Sequence, residues 1–305
     1  MEGRLTERIR LRSGSFSKGQ KMIAAFIKEN PDRVAFMTAA RLGATVGVSE
    51  STVVRFATEI GYPGYPQLQQ AMQEMVRNRL TSPQRLEMTH RNIPVERLLD
   101  SVLDQDAMIL RRTKEQIDHT AFYEVVQALL PAKKVYILGA GSSLALATFM
   151  AHYFELIFDH VHLIEATSEA QIYQQMIRIG EGDAFFAISF PRYSKKAARA
   201  LHYALDRGAA TIAITDSSFS PLAKYAAHLL LARSDMVSFV DSLVGPLSMI
   251  NALIVTVAIE KKGAVKETLT QLEEIWEQYS EYEKIDEKES GDEGESGSLL
   301  GEGSC

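Results

Sequence analysis

Thr38-Ala-Ala-Arg-Leu-Gly-Ala-Thr-Val-Gly-Val-Ser-Glu-Ser-Thr-Val-Val-Arg-Phe-Ala-Thr-Glu-Ile60 decides the N-terminal fold. It reads as two short helices joined by a tight turn. Ser49 stands where an N-cap belongs, so its hydroxyl can accept from the free amides of the first turn. Val48 before it and Val53 after it are spaced as a hydrophobic staple. Gly47 falls in the turn, where a positive φ suits glycine. Ala40, Leu42 and Val46 give the first helix an apolar side, and Val53, Phe56, Ala57 and Ile60 give one to the second. Glu50, Ser51, Thr52 and Arg55 are left facing outward. They form either a plain solvated face or the base-reading end of a helix-turn-helix, which enters the DNA major groove by its N-terminus.

The charge distribution favours the second reading. Residues 1–80 hold 12 Lys+Arg against 7 Asp+Glu, a surplus of five positive charges on a chain whose net charge is −6. The last 25 residues, 281–305, hold 2 Lys against 9 Asp+Glu, so the acid is concentrated at the other end. A basic segment on an acidic protein suits a polyanionic partner for that segment alone. Arg4, Arg8, Arg10, Arg12, Lys18 and Lys21 precede the motif as candidate phosphate contacts. The DNA-facing set expected here is Ser49, Glu50, Ser51, Thr52 and Arg55, on double-stranded DNA.

At 305 residues, 46% hydrophobic and 24% charged, the chain has the length and composition of about two water-soluble domains. Met1-Glu-Gly-Arg-Leu-Thr-Glu-Arg8 is too polar for a secretory signal. The apolar run Met249–Ile259 is too short for a membrane span, so no membrane partner is expected. The single cysteine, Cys305, excludes an internal disulfide. These features point to the cytoplasm. His160-Val-His162 is the nearest approach to a metal motif, and it lacks any cysteine or acidic companion. Neither a metal nor a cofactor is called for.

Along the chain, Gln20–Lys28 reads as a first helix with Met22, Ile23, Phe26 and Ile27 inward. After the central motif, Gly61-Tyr-Pro-Gly-Tyr-Pro66 is a turn cluster and Gln67–Leu80 a further helix. Residues 81–94, with Pro83 and Pro94, read as a linker. Val95–Ile117 and Ala121–Leu130 have helical spacing. From Lys134 the pattern changes to short apolar strands at Val135–Leu138, Val161–Ile164, Ala184–Ser189, Ala210–Thr215 and His228–Leu231. Between them lie helices at Ser143–Phe158, Ser168–Ile179, Ser194–Arg207 and a short one near Leu222. Continuous apolar strands alternating with helices mean a parallel sheet covered on both faces. The expected fold is therefore α/β: an all-α N-terminal domain followed by a five-stranded doubly wound domain. Leu243–Tyr282 closes it as one or two helices, and the acidic end is expected to be disordered. The divisions expected are 1–80 for the helix-turn-helix domain, 81–117 for linker and connecting helix, 118–283 for the α/β domain and 284–305 for the tail.

Ligands of open parallel sheets bind beyond the carboxyl ends of the strands. Two of those ends carry anion-binding chemistry. Gly139-Ala-Gly141-Ser142-Ser143 joins a strand to a helix N-terminus, with glycines that admit an anion and two hydroxyls that can donate. Ser189-Phe-Pro-Arg192-Tyr-Ser194 does the same after the third strand and adds a guanidinium. A dinucleotide reading competes, with Glu165 as the ribose acid, but Leu144 stands where a third glycine belongs. Serines 143 and 194 also read simply as helix caps. A small anionic ligand accounts for both loops, with Gly141, Ser142, Ser143, Ser189, Arg192 and Ser194 as its contacts. Glu165 and Glu169 follow the second strand and can accept from hydroxyls of the same ligand.

Val48-Ser-Glu-Ser-Thr-Val-Val-Arg-Phe56 with Gly61-Tyr-Pro-Gly-Tyr65 resembles the DNA-binding domain of RpiR-type transcriptional regulators. Val135 to about Leu231, with Gly-Ala-Gly-Ser-Ser and Ile214-Thr-Asp-Ser-Ser-Phe-Ser-Pro-Leu-Ala223, resembles their sugar isomerase (SIS) domain. The resemblance implies control of carbohydrate-use genes by a phosphosugar effector, with Ser142 and Ser143 on the phosphate. Ser189 and Ser194 would take hydroxyl positions of the second loop. That loop departs from the usual Ser-x-Ser-Gly-x-Thr, because Pro191 and Arg192 occupy the places of the middle Ser and the Gly. The alternative is a sugar-phosphate aldose-ketose isomerase, for which Asp241, Glu155 and Glu165 are conceivable bases. The attached helix-turn-helix favours a regulator without catalytic residues. Such regulators act as symmetric pairs, so a homodimer or higher homo-oligomer is expected.

Overall fold

The computed structural model describes residues 4–69, 71–72, 81–165, 168–235 and 238–280. Most of the expected helix Gln67–Leu80 and the acidic tail lie outside them. The N-terminal region holds the helices α1 (Arg4–Arg12), α2 (Lys18–Glu29), α3 (Pro31–Val34), α4 (Ala39–Val46) and α5 (Glu50–Glu59), and residues 65–69 are helical as well. Ser17 starts α2 with a capping box, in which its backbone amide donates to Gln20 Oε1 at 2.8 Å. Ile23, Ile27, Leu42, Val53, Phe56, Leu68 and Met72 form a buried core. Two inward assignments fail. Met22 is exposed, and Ala39 rather than Ala40 faces the core. Helix α4 starts at Ala39 and must turn Gly43 inward, which rotates its apolar side by one residue.

The expected linker 81–94 is largely helical: α6 runs Ser82–Asn92. Thr81 offers its backbone amide to Gln84 Oε1 at 2.9 Å, and Pro83 sits in the first turn, where its missing N–H costs nothing. In the sequence that proline reads as a breaker; here it is a starter. Helices α7 (Leu98–Gln116) and α8 (His119–Leu129) follow.

The sheet has five parallel strands in the order β2-β1-β3-β4-β5, from β1 (Val135–Gly139), β2 (Val161–Leu163), β3 (Ala184–Ile188), β4 (Ala210–Thr215) and β5 (His228–Leu231). Strands β1 and β3 are buried throughout, as a sheet covered on both faces requires. Helices α9 (Ser143–Phe154), α10 (Glu169–Gln175) and α11 (Lys195–Asp206) make the crossovers. The helix expected near Leu222 is instead a run of turns with Leu222 buried. Helix α12 (Val244–Glu260) buries Met249, Ile250, Leu253 and Val257 and packs on α7, α8 and α9. Gly245 lets it approach α7, since a Cβ there would lie 2.8 Å from Thr113 Oγ1.

Chain contacts divide the molecule after Lys261. The described part of the second unit is α13 (Lys262–Tyr279), an acidic helix that exposes Leu269, Ile275 and Tyr279. Among the described residues no single helix is long and apolar enough to cross a membrane.

Candidate functional site

The N-terminal motif has the geometry its residues imply. Thr38 Oγ1 accepts from Arg41 N at 3.2 Å and starts α4. Gly47 ends it in the left-handed region, at φ 79°. The turn then presses on Gly43, where a Cβ would sit 2.7 Å from the Val48 carbonyl oxygen. This glycine is needed for the close approach of the two helices, and the sequence reading missed it. Ser49 Oγ accepts from Thr52 N at 3.3 Å and caps α5. The same hydroxyl shares hydrogen bonds with Ser51 Oγ at 2.9 Å and Thr52 Oγ1 at 2.8 Å.

Ser49, Glu50, Ser51 and Arg55 are exposed, while Thr52 is half-buried. A Cβ on Gly19 would meet both Val48 and Thr52, so the start of α2 lies against the start of α5. Lys18 and Lys21, both exposed, therefore stand beside the reading end of α5.

Arg8 does not stand free for a phosphate. Its Nη1 donates to Gly61 O at 2.7 Å and to Ile60 O at 3.3 Å, and its guanidinium lies 4.7 Å from the Tyr62 ring centre. It closes the C-terminal end of α5, where unpaired carbonyls and the helix dipole favour a cation. Arg10 lies 2.6 Å from Glu7 in an exposed pair. Tyr65 fixes the far side, its hydroxyl donating to Met37 O at 2.7 Å, and burial pushes its pKa up to about 12.

At the sheet, β1 and β3 are neighbours with Gly139 opposite Ile188. The loops that follow each strand therefore leave the same edge side by side, where the strand order reverses. At Gly139 a Cβ would collide with the Ser143 carbonyl, and Gly141 takes φ 63°. Those glycines bring the N-terminus of α9 directly over the strand end. Ser143 is 3% exposed, and Ser142 is exposed.

In the second loop Ser189 Oγ accepts from Ser194 N at 3.0 Å, and Ser194 Oγ accepts from Ala197 N at 3.2 Å. Ser194 is thus a helix cap. Both hydroxyls accept backbone amides and so keep their own protons for donation to an anion. Arg192 is held at φ 71°, a region that favours glycine and that strains other residues. It stands where the usual loop has its glycine. Its Nη1 donates to Ser82 Oγ of α6 at 3.1 Å.

Asp241, missed as a partner of the first loop, accepts from Ser142 Oγ at 2.6 Å. Its neighbour Ser242 donates to Asp106 of α7 at 2.6 Å, and Ser234 donates to Ser242 O at 2.9 Å, so the segment is pinned in place. Tyr193 donates to Asp216 at 2.8 Å; burial outweighs that bond and raises the Asp216 pKa.

The remaining acids separate. Glu155 lies at the C-terminal end of α9, the opposite edge of the sheet. Glu169 accepts from Arg199 at 2.8 Å and from the Tyr173 hydroxyl at 3.1 Å. Glu165 is exposed after β2. His162 stacks on Tyr136 at 4.8 Å, and burial, with Lys134 and His160 nearby, lowers its pKa.

A capped helix-turn-helix followed by a parallel sheet with paired serine loops defines a DNA-binding protein with a sugar-isomerase-type domain. Residues 3–79 match the helix-turn-helix domain of the rpiR family, and residues 128–256 match the SIS domain. The chain belongs to the RpiR-type transcriptional regulators. It is 26% identical over 281 residues to an uncharacterized HTH-type transcriptional regulator of Caldanaerobacter subterraneus, covering 88% of this chain and 95% of that one. To the HTH-type transcriptional regulator HexR of Pseudomonas aeruginosa it is 24% identical, over 72% of this chain and 75% of that one. In structure it matches the sugar isomerase domain of an RpiR transcription factor from Sphaerobacter thermophilus, with 28% identity and a TM-score of 0.55 over 58% of this chain and 99% of that one. It also matches the fold of Vibrio vulnificus NanR, solved with ManNAc-6P, with 22% identity and a TM-score of 0.56 over 90% of this chain and 98% of that one.

Proposed function

We propose that this regulator controls carbohydrate-use genes and that a phosphosugar bound beyond the ends of β1 and β3 sets its state. The observation that carries this reading is the pairing of β1 with β3. It sets Ser142 and Ser143 of one loop beside Ser189, Arg192 and Ser194 of the next. Two helix N-termini, hydroxyls with protons to donate and a guanidinium suit a phosphate monoester. NanR, of the same fold, was solved with a phosphosugar, which supports the ligand class. Gly141 admits the anion by leaving the loop without a Cβ.

On this reading the DNA contacts are Ser51, Thr52 and Arg55, with Glu50 flanking them and Ser49 capping. The domain 1–80 reads the operator, and the domain 118–283 senses the effector. The chain acts in the cytoplasm as a homodimer, and no residue performs catalysis. Asp241, a conceivable base brought to the first loop, is engaged with Ser142.

The test is a thermal-shift series against phosphosugars, including N-acetylmannosamine 6-phosphate and glucose 6-phosphate. A ligand at 100 times its Kd stabilises the fold by about 2.7 kcal/mol. The double variant Ser142→Ala, Ser143→Ala is expected to lose that shift and the effector response, while it binds a selected operator as the wild type does. A double variant that still responds at the same ligand concentration rejects the site.

A further inference from the structure

Arg192 has a partner outside the two serine loops. Its Nη1 donates to Ser82 Oγ at 3.1 Å, across 110 residues of chain. Ser82 lies in the first turn of α6, and Arg192 lies in the loop after β3. The bond therefore ties the second serine loop to the helix that follows the DNA-reading core. That core ends among Leu68 and Met72, and α6 begins ten residues after Met72.

Helix α6 is not anchored by an apolar face. None of its described residues is a buried hydrophobic: Leu86 is 52% exposed, and the buried residue is the polar Arg85. An element with so little buried apolar surface stands at the low end of local stability. Polar contacts such as the one at Ser82 then decide where it lies. Arg192, for its part, keeps φ 71° in the place of a glycine, and strain of that kind persists where the surroundings impose it.

Ser82 and a phosphate are unequal partners for this guanidinium. Ser82 offers one neutral hydroxyl oxygen. A phosphate monoester offers charged oxygens to paired donors, and bonds of that kind are the stronger. Resting on the phosphosugar reading above, we propose that Arg192 is an exchange switch, whose guanidinium holds either Ser82 or the effector phosphate, so that effector binding releases the first turn of α6. The effector favours the released position because only there is the guanidinium its own, and by that difference it shifts the placement of the DNA-reading core. The coupling is reciprocal, so weakening the bond to Ser82 tightens the hold on the effector.

The test uses the full chain, with inorganic phosphate and N-acetylmannosamine 6-phosphate as probes. Hydrogen exchange is followed at residues 84–92, and affinity is taken from calorimetry. In the wild type, the probe is expected to speed exchange across 84–92. Ser82→Ala removes the acceptor and leaves Thr81 to start the helix. It is expected to exchange fast at 84–92 without the probe, to gain nothing further from it, and to bind it about threefold to tenfold more tightly, the worth of one hydrogen bond. Arg192→Gly is expected to exchange as fast and to bind the probe more weakly, and adding Ser82→Ala to it is expected to change neither quantity. Wild-type affinity and exchange in Ser82→Ala overturn the switch. So does wild type that binds the probe with slowed or unchanged exchange at 84–92. Either result leaves the serine-loop site standing if Ser142→Ala with Ser143→Ala abolishes binding. Wild type that binds neither probe overturns both readings.

Discussion

The Ser142 hydroxyl donates to the Asp241 carboxylate at 2.6 Å, which joins the loop after β1 to a segment 99 residues further on. A phosphate seated on Ser142 would need that same proton, and it would meet the carboxylate as a like charge. Asp241→Asn removes the charge and keeps the shape. The expected outcome is about tenfold tighter phosphosugar binding, equivalent to about 1.4 kcal/mol, measured by calorimetry. Weaker binding would instead make Asp241 a ligand contact for the sugar.

Arg8 and Arg55 should separate in their effects. Arg55 is exposed on α5, and its guanidinium is only loosely tied to Ser51, with Nε 3.3 Å from the carbonyl. Arg55→Ala is expected to lower operator affinity by about 1–3 kcal/mol while random DNA loses little. Equal losses on both DNAs, measured by fluorescence anisotropy, would make Arg55 a phosphate contact. Arg8→Ala is expected to act on stability, by about 1–3 kcal/mol for bonds made by a charged donor. The denaturation midpoint should fall, and the salt dependence of DNA binding should keep its slope.

Asp216 should give a pH signature. Burial raises its pKa above the ordinary 3.8 against the pull of Tyr193, its own backbone amide and Thr215. A carboxyl with a raised folded pKa binds its proton more tightly in the folded state. Its contribution to stability is full below 3.8 and is lost as pH rises through the folded value. Asp216→Asn is therefore expected to be more stable than wild type near neutral pH, with the difference shrinking toward about pH 4. Urea denaturation across that range checks it, and a difference independent of pH would reject the assignment.

The dimer should form through α7. Leu99 is 70% and Leu103 57% exposed on one side of that helix, with Val102 beside them, while Ile109 and Thr113 are buried toward α12. An apolar stripe at helical spacing left open in one chain suits a symmetric second copy. Leu99→Glu with Leu103→Glu is expected to give a folded monomer in light scattering, since both side chains are exposed. Wild type that is monomeric at micromolar concentration rejects the interface.

What the sequence determined by itself was local. The cap at Ser49, the turn at Gly47, the buried face of Val53, Phe56 and Ala57 and the strands from Val135 to Leu231 follow from residue spacing within one or two turns. The Gly139–Ser143 and Ser189–Ser194 loops were legible for the same reason: a strand, then small residues, then a helix. What only the tertiary structure decided were relationships between distant segments. The strand order β2-β1-β3-β4-β5 makes neighbours of loops about fifty residues apart. It also sets Asp241 on Ser142, Ser82 on Arg192 and Arg8 on the end of α5. No periodicity encodes these, because each depends on two surfaces meeting after both have formed. Pro83 shows the limit most clearly, since one residue type breaks a helix or begins it according to the turn it occupies.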